Sequence, residues 1–217
     1  MAISENIKKL KGELPKDVTL VAISKTKPNE DLLEAYDCGQ REFGENKIQE
    51  MTEKWEKLPK DINWHMVGHV QRNKVKYMAP YVSLIHAVDS LKLLKEIHKE
   101  ADKNNRCINC LLQIKIAEED SKFGISAEKA KEILDSQEFK KLDHIKVKGL
   151  MGMATFTNDQ AQVRKEFQHL KSVFDDFKEI YLDFEILSMG MSGDYKTAID
   201  CGSNMVRIGS DIFGSRN

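Results

Sequence analysis

Apolar residues along this chain alternate between two periods. Ile3, Ile7, Leu10 and Leu14 recur at helical spacing, so a leading helix is expected first. Val18, Leu20, Val21, Ala22 and Ile23 then form a short run with the composition of a strand buried on both faces. Pro28 stops that strand from continuing, and Pro28-Asn29-Glu30 opens a helix that runs through Tyr36 to a stop near Gly39. A short strand and loop over 41–46 precedes a helix over 47–58, with Met51, Trp55 and Leu58 on one face. The pattern goes on to predict strands over 63–68, 82–88, 110–116, 145–153, 185–189 and 204–208. Between them it predicts helices over 70–77, 90–101, 126–134, 159–180 and 195–200. Leu91, Leu94 and Ile97 give the helix over 90–101 its core face, and Ser126 is the expected N-cap of the next. The long helix over 159–180 carries Val163, Phe167, Leu170, Phe174 and Phe177 in one stripe. A polar loop is expected over 118–124.

Eight strands alternating with helices point to a single (β/α)8 TIM barrel with an extra N-terminal helix, one domain over 1–217, with an open doubly wound sheet as runner-up. Every connection between strands is long enough to hold a helix, as right-handed parallel crossovers require. A barrel would gather its functional groups at the mouth formed by the strand C-termini. The candidate polar residues fall there: Lys25 after the first strand, Asn46 after the second, Gly68 and His69 after the third. The segments 188–192 and 207–210 follow at the ends of the last two.

Composition narrows the function classes. The 217 residues carry a formal net charge of −1 with no basic stripe, which argues against a protein that binds nucleic acid by neutralising phosphates. Charged residues make up 32% of the chain, in keeping with many amphipathic helices whose outer faces are wet. No apolar leader follows Met1 and no apolar run reaches the length of a bilayer span, so a soluble, cytoplasmic protein without a membrane partner is expected. Cys38 and Cys201 stand singly, each before a glycine at an expected helix end. Cys107 and Cys110 form a CxxC, but it runs into a strand rather than opening a helix, and no second Cys/His pair stands at zinc spacing. A structural role is the expected one.

The candidate chemistry lies at the two ends of the chain. A lysine at a buried strand's end, Lys25, is not cheaply buried without a partner; partial burial lowers an amine's pKa and makes it a usable nucleophile for a Schiff base. The alternative for Lys25 alone is a solvated charge. Toward the other end, Gly190-Met191-Ser192-Gly193-Asp194 leads from the seventh strand into a helix, and Arg207-Ile208-Gly209-Ser210 leads out of the eighth. Barrels hold phosphate in these two loops: glycines let main-chain N–H groups approach the anion, and Ser192 and Ser210 add hydroxyl donors. A phosphate opposite a Schiff-base lysine suggests pyridoxal 5′-phosphate. Arg207 would then meet the pyridine nitrogen; because arginine keeps its proton, it would leave that nitrogen unprotonated and the ring a weaker electron sink.

VAISKTKP, FGEN, WHMVGHVQRNK, GLMGM, LSMGMSGD and MVRIGSDIFG occur in this order from Val18 to Gly214. Together they resemble the pyridoxal phosphate homeostasis protein family. The resemblance implies a barrel similar to the N-terminal domain of alanine racemase. It also implies that Lys25 is the Schiff-base partner, that Ser192 with Met191 lies in the phosphate loop, and that Arg207, Gly209 and Ser210 complete the site. Asn46 of the GEN motif is placed at the cofactor's edge. Val70 stands where many relatives have leucine, a change that touches no functional group.

What the family implies is reversible binding of the cofactor, for buffering it or delivering it to apo pyridoxal-phosphate enzymes, without turnover. The alternative class is an amino-acid racemase, which needs acid/base groups on both faces of the bound substrate. Lys25 could serve one face, with Tyr195, His65 or His69 as candidates for the other. The second domain that supplies this group in alanine racemases is expected to be missing, since the sequence ends at Asn217, and a monomer is the default expectation. A Schiff-base aldolase acting on a sugar phosphate is a third reading. Lys27 and Lys74 are candidate transient holders of the cofactor, each with a solvated charge as its plainer role.

Overall fold

The computed structural model describes residues 2–118 and 123–214. Eight parallel strands close into a barrel in sequential order, β1 (Thr19–Ile23), β2 (Glu42–Glu45), β3 (Asn63–Met66), β4 (Leu84–Val88), β5 (Ile108–Ile114), β6 (Ile145–Gly152), β7 (Ile186–Met191) and β8 (Met205–Ile208). The barrel expectation is met and the open sheet is not: β8 pairs with β1, Val21 opposite Arg207. Helices α1 (Ile3–Glu13), α2 (Asn29–Asp37), α3 (Ile48–Lys57), α4 (Val75–Met78), α5 (Leu91–Lys103), α6 (Ala127–Asp135), α7 (Gln160–Ile180), α8 (Tyr195–Asp200) and α9 (Ser210–Phe213) complete the order.

Alternation along each strand sorts side chains between two cores. The outer faces pack under the helices, where Phe43, Trp64, Ile85 and Leu112 meet Leu32, Met51, Leu94 and Phe167. The inner faces form a separate, smaller cluster that includes Val21, Leu84, Leu111, Met151 and Met205. Three register shifts, in the β4–β5, β5–β6 and β7–β8 pairs, bend the wall. Gly149 sits at the second of these with φ +148°, and a Cβ there would lie 1.9 Å from the Ile186 carbonyl oxygen. Only glycine fits.

The helices begin as their sequences direct. Ser90, Ser126 and Asp159 each accept a main-chain N–H of the first turn that follows. Several bounds shift: the strands expected over 63–68, 82–88 and 185–189 are Asn63–Met66, Leu84–Val88 and Ile186–Met191, and two further elements differ. The helix expected over 70–77 starts as a 3-10 turn, Arg72–Lys74, before α4. The fifth strand begins two residues earlier than its apolar run, placing Cys110 inside β5. Its thiol is buried, and burial pushes its pKa up, the opposite of what a redox-active thiol needs. Most of the polar loop expected over 118–124 lies outside the described residues. Among the described residues no helix is long and apolar enough to cross a membrane.

Candidate functional site

At the C-terminal mouth a cavity of about 510 Å³ opens between β1, the loop after β6, and the turns after β7 and β8. Six of the seven sequence-predicted site residues line it: Lys25, Met191, Ser192, Arg207, Gly209 and Ser210. Asn46 does not. It is half-buried at the end of β2, where its main chain passes so close to Gly68 that a Cβ there would sit 2.4 Å from the Asn46 carbonyl oxygen.

Lys25 is carried by a tight turn over 24–27, closed by Lys27 N–H donating to the Ser24 carbonyl at 3.1 Å. Thr26 adopts φ +65°, a left-handed conformation that a β-branched residue rarely takes. Its N–H donates to Glu50 Oε1 at 2.5 Å. Behind the turn, Lys54 Nζ donates to the Ser24 carbonyl, Glu45 Oε1 and Glu50 Oε1, each at 2.8 Å, while Ser24 Oγ donates to Glu45 Oε1 at 2.6 Å. Burial pushes the Glu45 carboxyl above its ordinary value, against the pull of Lys54 and the Ser24 hydroxyl. This buried polar cluster ties β1, β2 and α3 together under Lys25, over-determining a strained backbone. Lys25 is half-buried and lines the cavity wall.

Across the cavity the turn over 191–194 is closed by Asp194 N–H to the Met191 carbonyl at 3.0 Å and by Met191 N–H to Asp194 Oδ1 at 2.6 Å. Gly190 precedes it with φ +97°, and a Cβ there would fall 2.6 Å from that of Ala198, so glycine lets α8 pack against β7. Gly209 N–H donates to Ser192 Oγ at 3.4 Å, which brings the two glycine-containing loops together. Ser210 opens α9, and the N–H groups of a first helical turn have no acceptor within the helix.

Arg207 forms the floor. It is buried, and donates from Nη1 to Ser188 Oγ at 2.6 Å and from Nη2 to the Gly152 carbonyl at 3.0 Å. Burial lowers its pKa to about 10, with Asp194 working in the opposite sense. The guanidinium stays charged at neutral pH.

The sequence reading missed the third wall, the loop over 154–158 between β6 and α7. Glu166 of α7 organises it, accepting Thr155 N–H and Thr155 Oγ–H at 2.7 Å each. Burial pushes this carboxyl up, but the Thr155 bonds and Gln162 bring it below its ordinary value. The signal was the polar Thr155-Phe156-Thr157-Asn158 that interrupts the apolar run after GLMGM.

Other candidates are engaged elsewhere. Lys27 borders the cavity with its Nζ donating to the Phe213 carbonyl at 2.7 Å, capping α9. Lys74 lies in a groove beside α3 and α4. Tyr195 donates to Glu13 at 3.3 Å, His69 stacks on Phe123, and His65 lies within the barrel; none of the three lines the cavity. Among the described residues, the titratable groups lining it are Lys25, Lys27, Asp194 and Arg207. Its size falls within the usual range for small-ligand sites. An amine on one wall, serine hydroxyls and a fresh helical turn on another, and a fixed cation on the floor suit a small anionic carbonyl compound.

Comparison with known proteins bears on this arrangement. The sequence profile of the family described as "Alanine racemase, N-terminal domain" matches residues 1–217. A pyridoxal phosphate homeostasis protein of Pasteurella multocida is 39% identical over 206 residues, covering 92% of this chain and 87% of the relative. One of Helicobacter pylori is 41% identical over 200 residues, covering 90% and 87%. Among solved structures, PipY of Synechococcus elongatus, with PLP bound, superposes with a TM-score of 0.89 at 30% identity, covering 98% of this chain and all of that one.

Proposed function

The chain belongs to the alanine racemase N-terminal-domain family and, within it, to the pyridoxal phosphate homeostasis proteins, and from that premise we propose that it holds pyridoxal 5′-phosphate reversibly at the barrel mouth, covalently through Lys25, and buffers or delivers it without turnover. The observation that carries this reading is one cavity lined at once by Lys25, Ser192, Gly209, Ser210 and Arg207.

When bound, the cofactor would supply a carbonyl group reactive toward an amine, a dianionic phosphate, and a ring nitrogen able to accept a hydrogen bond. The residues present fit those three features. Lys25 offers the amine on a turn whose backbone is fixed from behind by Lys54, Glu45 and Glu50. Ser192, Ser210 and the main chain around Gly209 offer donors to the phosphate. Arg207 has donors beyond the two engaged by Ser188 and Gly152, and its permanent charge would leave the ring nitrogen as an acceptor.

The same lining argues against racemisation. Such a reaction needs a second acid/base group opposite Lys25. Lys27 is held by the Phe213 carbonyl, Asp194 accepts the Met191 N–H, and Arg207 keeps its proton. Asn46 is left out of the proposed contacts.

Purified protein incubated with pyridoxal phosphate and desalted is expected to keep a yellow chromophore, which Lys25→Ala loses. A Lys25→Ala protein that stays yellow would refute the attachment. Incubation of the loaded protein with each L-amino acid, followed by chiral chromatography, is expected to give no D-isomer; appreciable D-product would restore the racemase reading.

A further inference from the structure

A line of polar side chains crosses the barrel interior from one pole to the other. Glu42 begins β2 at the N-terminal pole, with Oε2 2.6 Å from His65 Nε2. His65 Nδ1 lies 2.9 Å from His86 Nε2, and His86 Nδ1 lies 3.0 Å from Ser188 Oγ. The line ends at the cavity floor, where Arg207 Nη1 donates to the same Ser188 oxygen at 2.6 Å. Strand register brings three of these residues inward together, since Leu84 lies beside His65, Met205 beside Ser188, and Val21 beside Arg207, all of them interior apolar residues, and His86 follows Leu84 by two positions along β4. His86 and Ser188 are fully buried.

The chemistry of the donors sets the direction of every bond. Arginine only donates, so Ser188 Oγ accepts from it, and among the described residues His86 Nδ1 is the acceptor within reach of the Ser188 hydrogen. An accepting Nδ1 places the His86 proton on Nε2, from which it donates to His65 Nδ1. His65 then donates from Nε2 to the Glu42 carboxylate. Both rings are neutral in this arrangement and each bond of the line has one donor and one acceptor. Reversing it would put a second proton on His65, beside Glu42, and would leave the buried Ser188 hydroxyl hydrogen without an acceptor among the described residues. The charged and titratable groups facing His86 are His65 from β3 and Arg207 from β8, with Glu42 acting through His65.

We propose that His86 and Ser188 are positioning residues for Arg207. Their one-way column, anchored on Glu42 through His65, fixes the roll of the guanidinium so that its unused donors face the cavity, and thereby makes the site select a ring that carries a hydrogen-bond-accepting nitrogen. The inference rests on the pyridoxal phosphate reading and adds a specificity device to it.

Two measurements test it. The first is the ¹⁵N NMR spectrum of the histidines in cofactor-free protein at pH 7.5, which reports the tautomer of each ring. Nε2–H on both His65 and His86 is expected, and Nδ1–H on either overturns the column. The second is competitive retention of pyridoxal phosphate against its 1-deaza analogue, identical except for a C–H in place of the ring nitrogen. Wild type is expected to prefer the natural ring by about tenfold or more, the scale of one hydrogen bond to a charged group. Ser188→Ala should bring that ratio close to unity, and Ser188→Thr, which keeps the hydroxyl, should restore it. A ratio unchanged in Ser188→Ala overturns the proposal whatever the tautomers. Should wild type retain neither ligand, the functional reading fails instead, and the column is judged on the tautomers alone.

Discussion

Lys54 is the side chain from which the turn carrying Lys25 hangs. Its ammonium is buried among the Ser24 carbonyl, Glu45 and Glu50. Lys54→Met would leave the fully buried Glu45 carboxylate without its counter-charge, so urea denaturation is expected to show a loss of about 3–5 kcal/mol. The double variant Lys54→Met/Glu45→Met should recover a large part of it; equal losses in the two would mean that the pair is not coupled. His86 makes a second prediction at this scale. Burial, and then His65 and Arg207, hold its pKa well below the imidazole's ordinary value. The unfolded chain takes up a proton near pH 6.5 that the folded protein refuses, so this contribution is full above that pH and is lost as pH falls. The slope is about 1.4 kcal/mol per pH unit below roughly 6.5. Urea midpoints at pH 7.5 and 5.5 should show the decline in wild type and a flatter dependence in His86→Gln. An identical slope in both would refute a neutral buried ring.

At the scale of elements, α7 does two tasks. Its stripe of Val163, Phe167, Leu170, Phe174 and Phe177 covers the barrel, and Glu166 beside that stripe reaches back to hold Thr155. Glu166→Ala is expected to speed amide exchange at Thr155 by tenfold or more while leaving the β6 amides slow, since a charge-assisted bond is worth more than about 1.4 kcal/mol. Unchanged exchange at Thr155 would remove Glu166 from the cavity wall. The stripe was legible in the sequence because helical spacing needs no partner to be recognised, and the apolar strands were legible as short runs. Glu166 was not, because a glutamate on a helix looks solvated until the loop it reaches is known. The polar column was hidden for a related reason: His86 sits inside LIHAV, a run that reads as an ordinary buried strand, and only the register of β3, β4, β7 and β8 aligns it with His65, Ser188 and Arg207. Asn46 shows the reverse. The FGEN motif was recognised, but Asn46 lies outside the cavity lining and Glu45 is buried beneath the Lys25 turn.

Across the whole molecule, closure of the barrel converts residues 182 positions apart, Lys25 and Arg207, into walls of one cavity. A ligand that bridges them is linked to the stability of the entire fold. At a hundred times its dissociation constant it should add about 2.7 kcal/mol, a rise in thermal midpoint of about 5–10 °C for a chain of this size. Lys25→Ala should show a much smaller rise at the same concentration. The most direct test of the account is borohydride reduction of the pyridoxal phosphate-loaded protein, followed by proteolysis and mass mapping. A single reduced pyridoxyl phosphate adduct on the peptide bearing Lys25 is the expected result; an adduct confined to another lysine, or none on a protein that retains the cofactor, would contradict it.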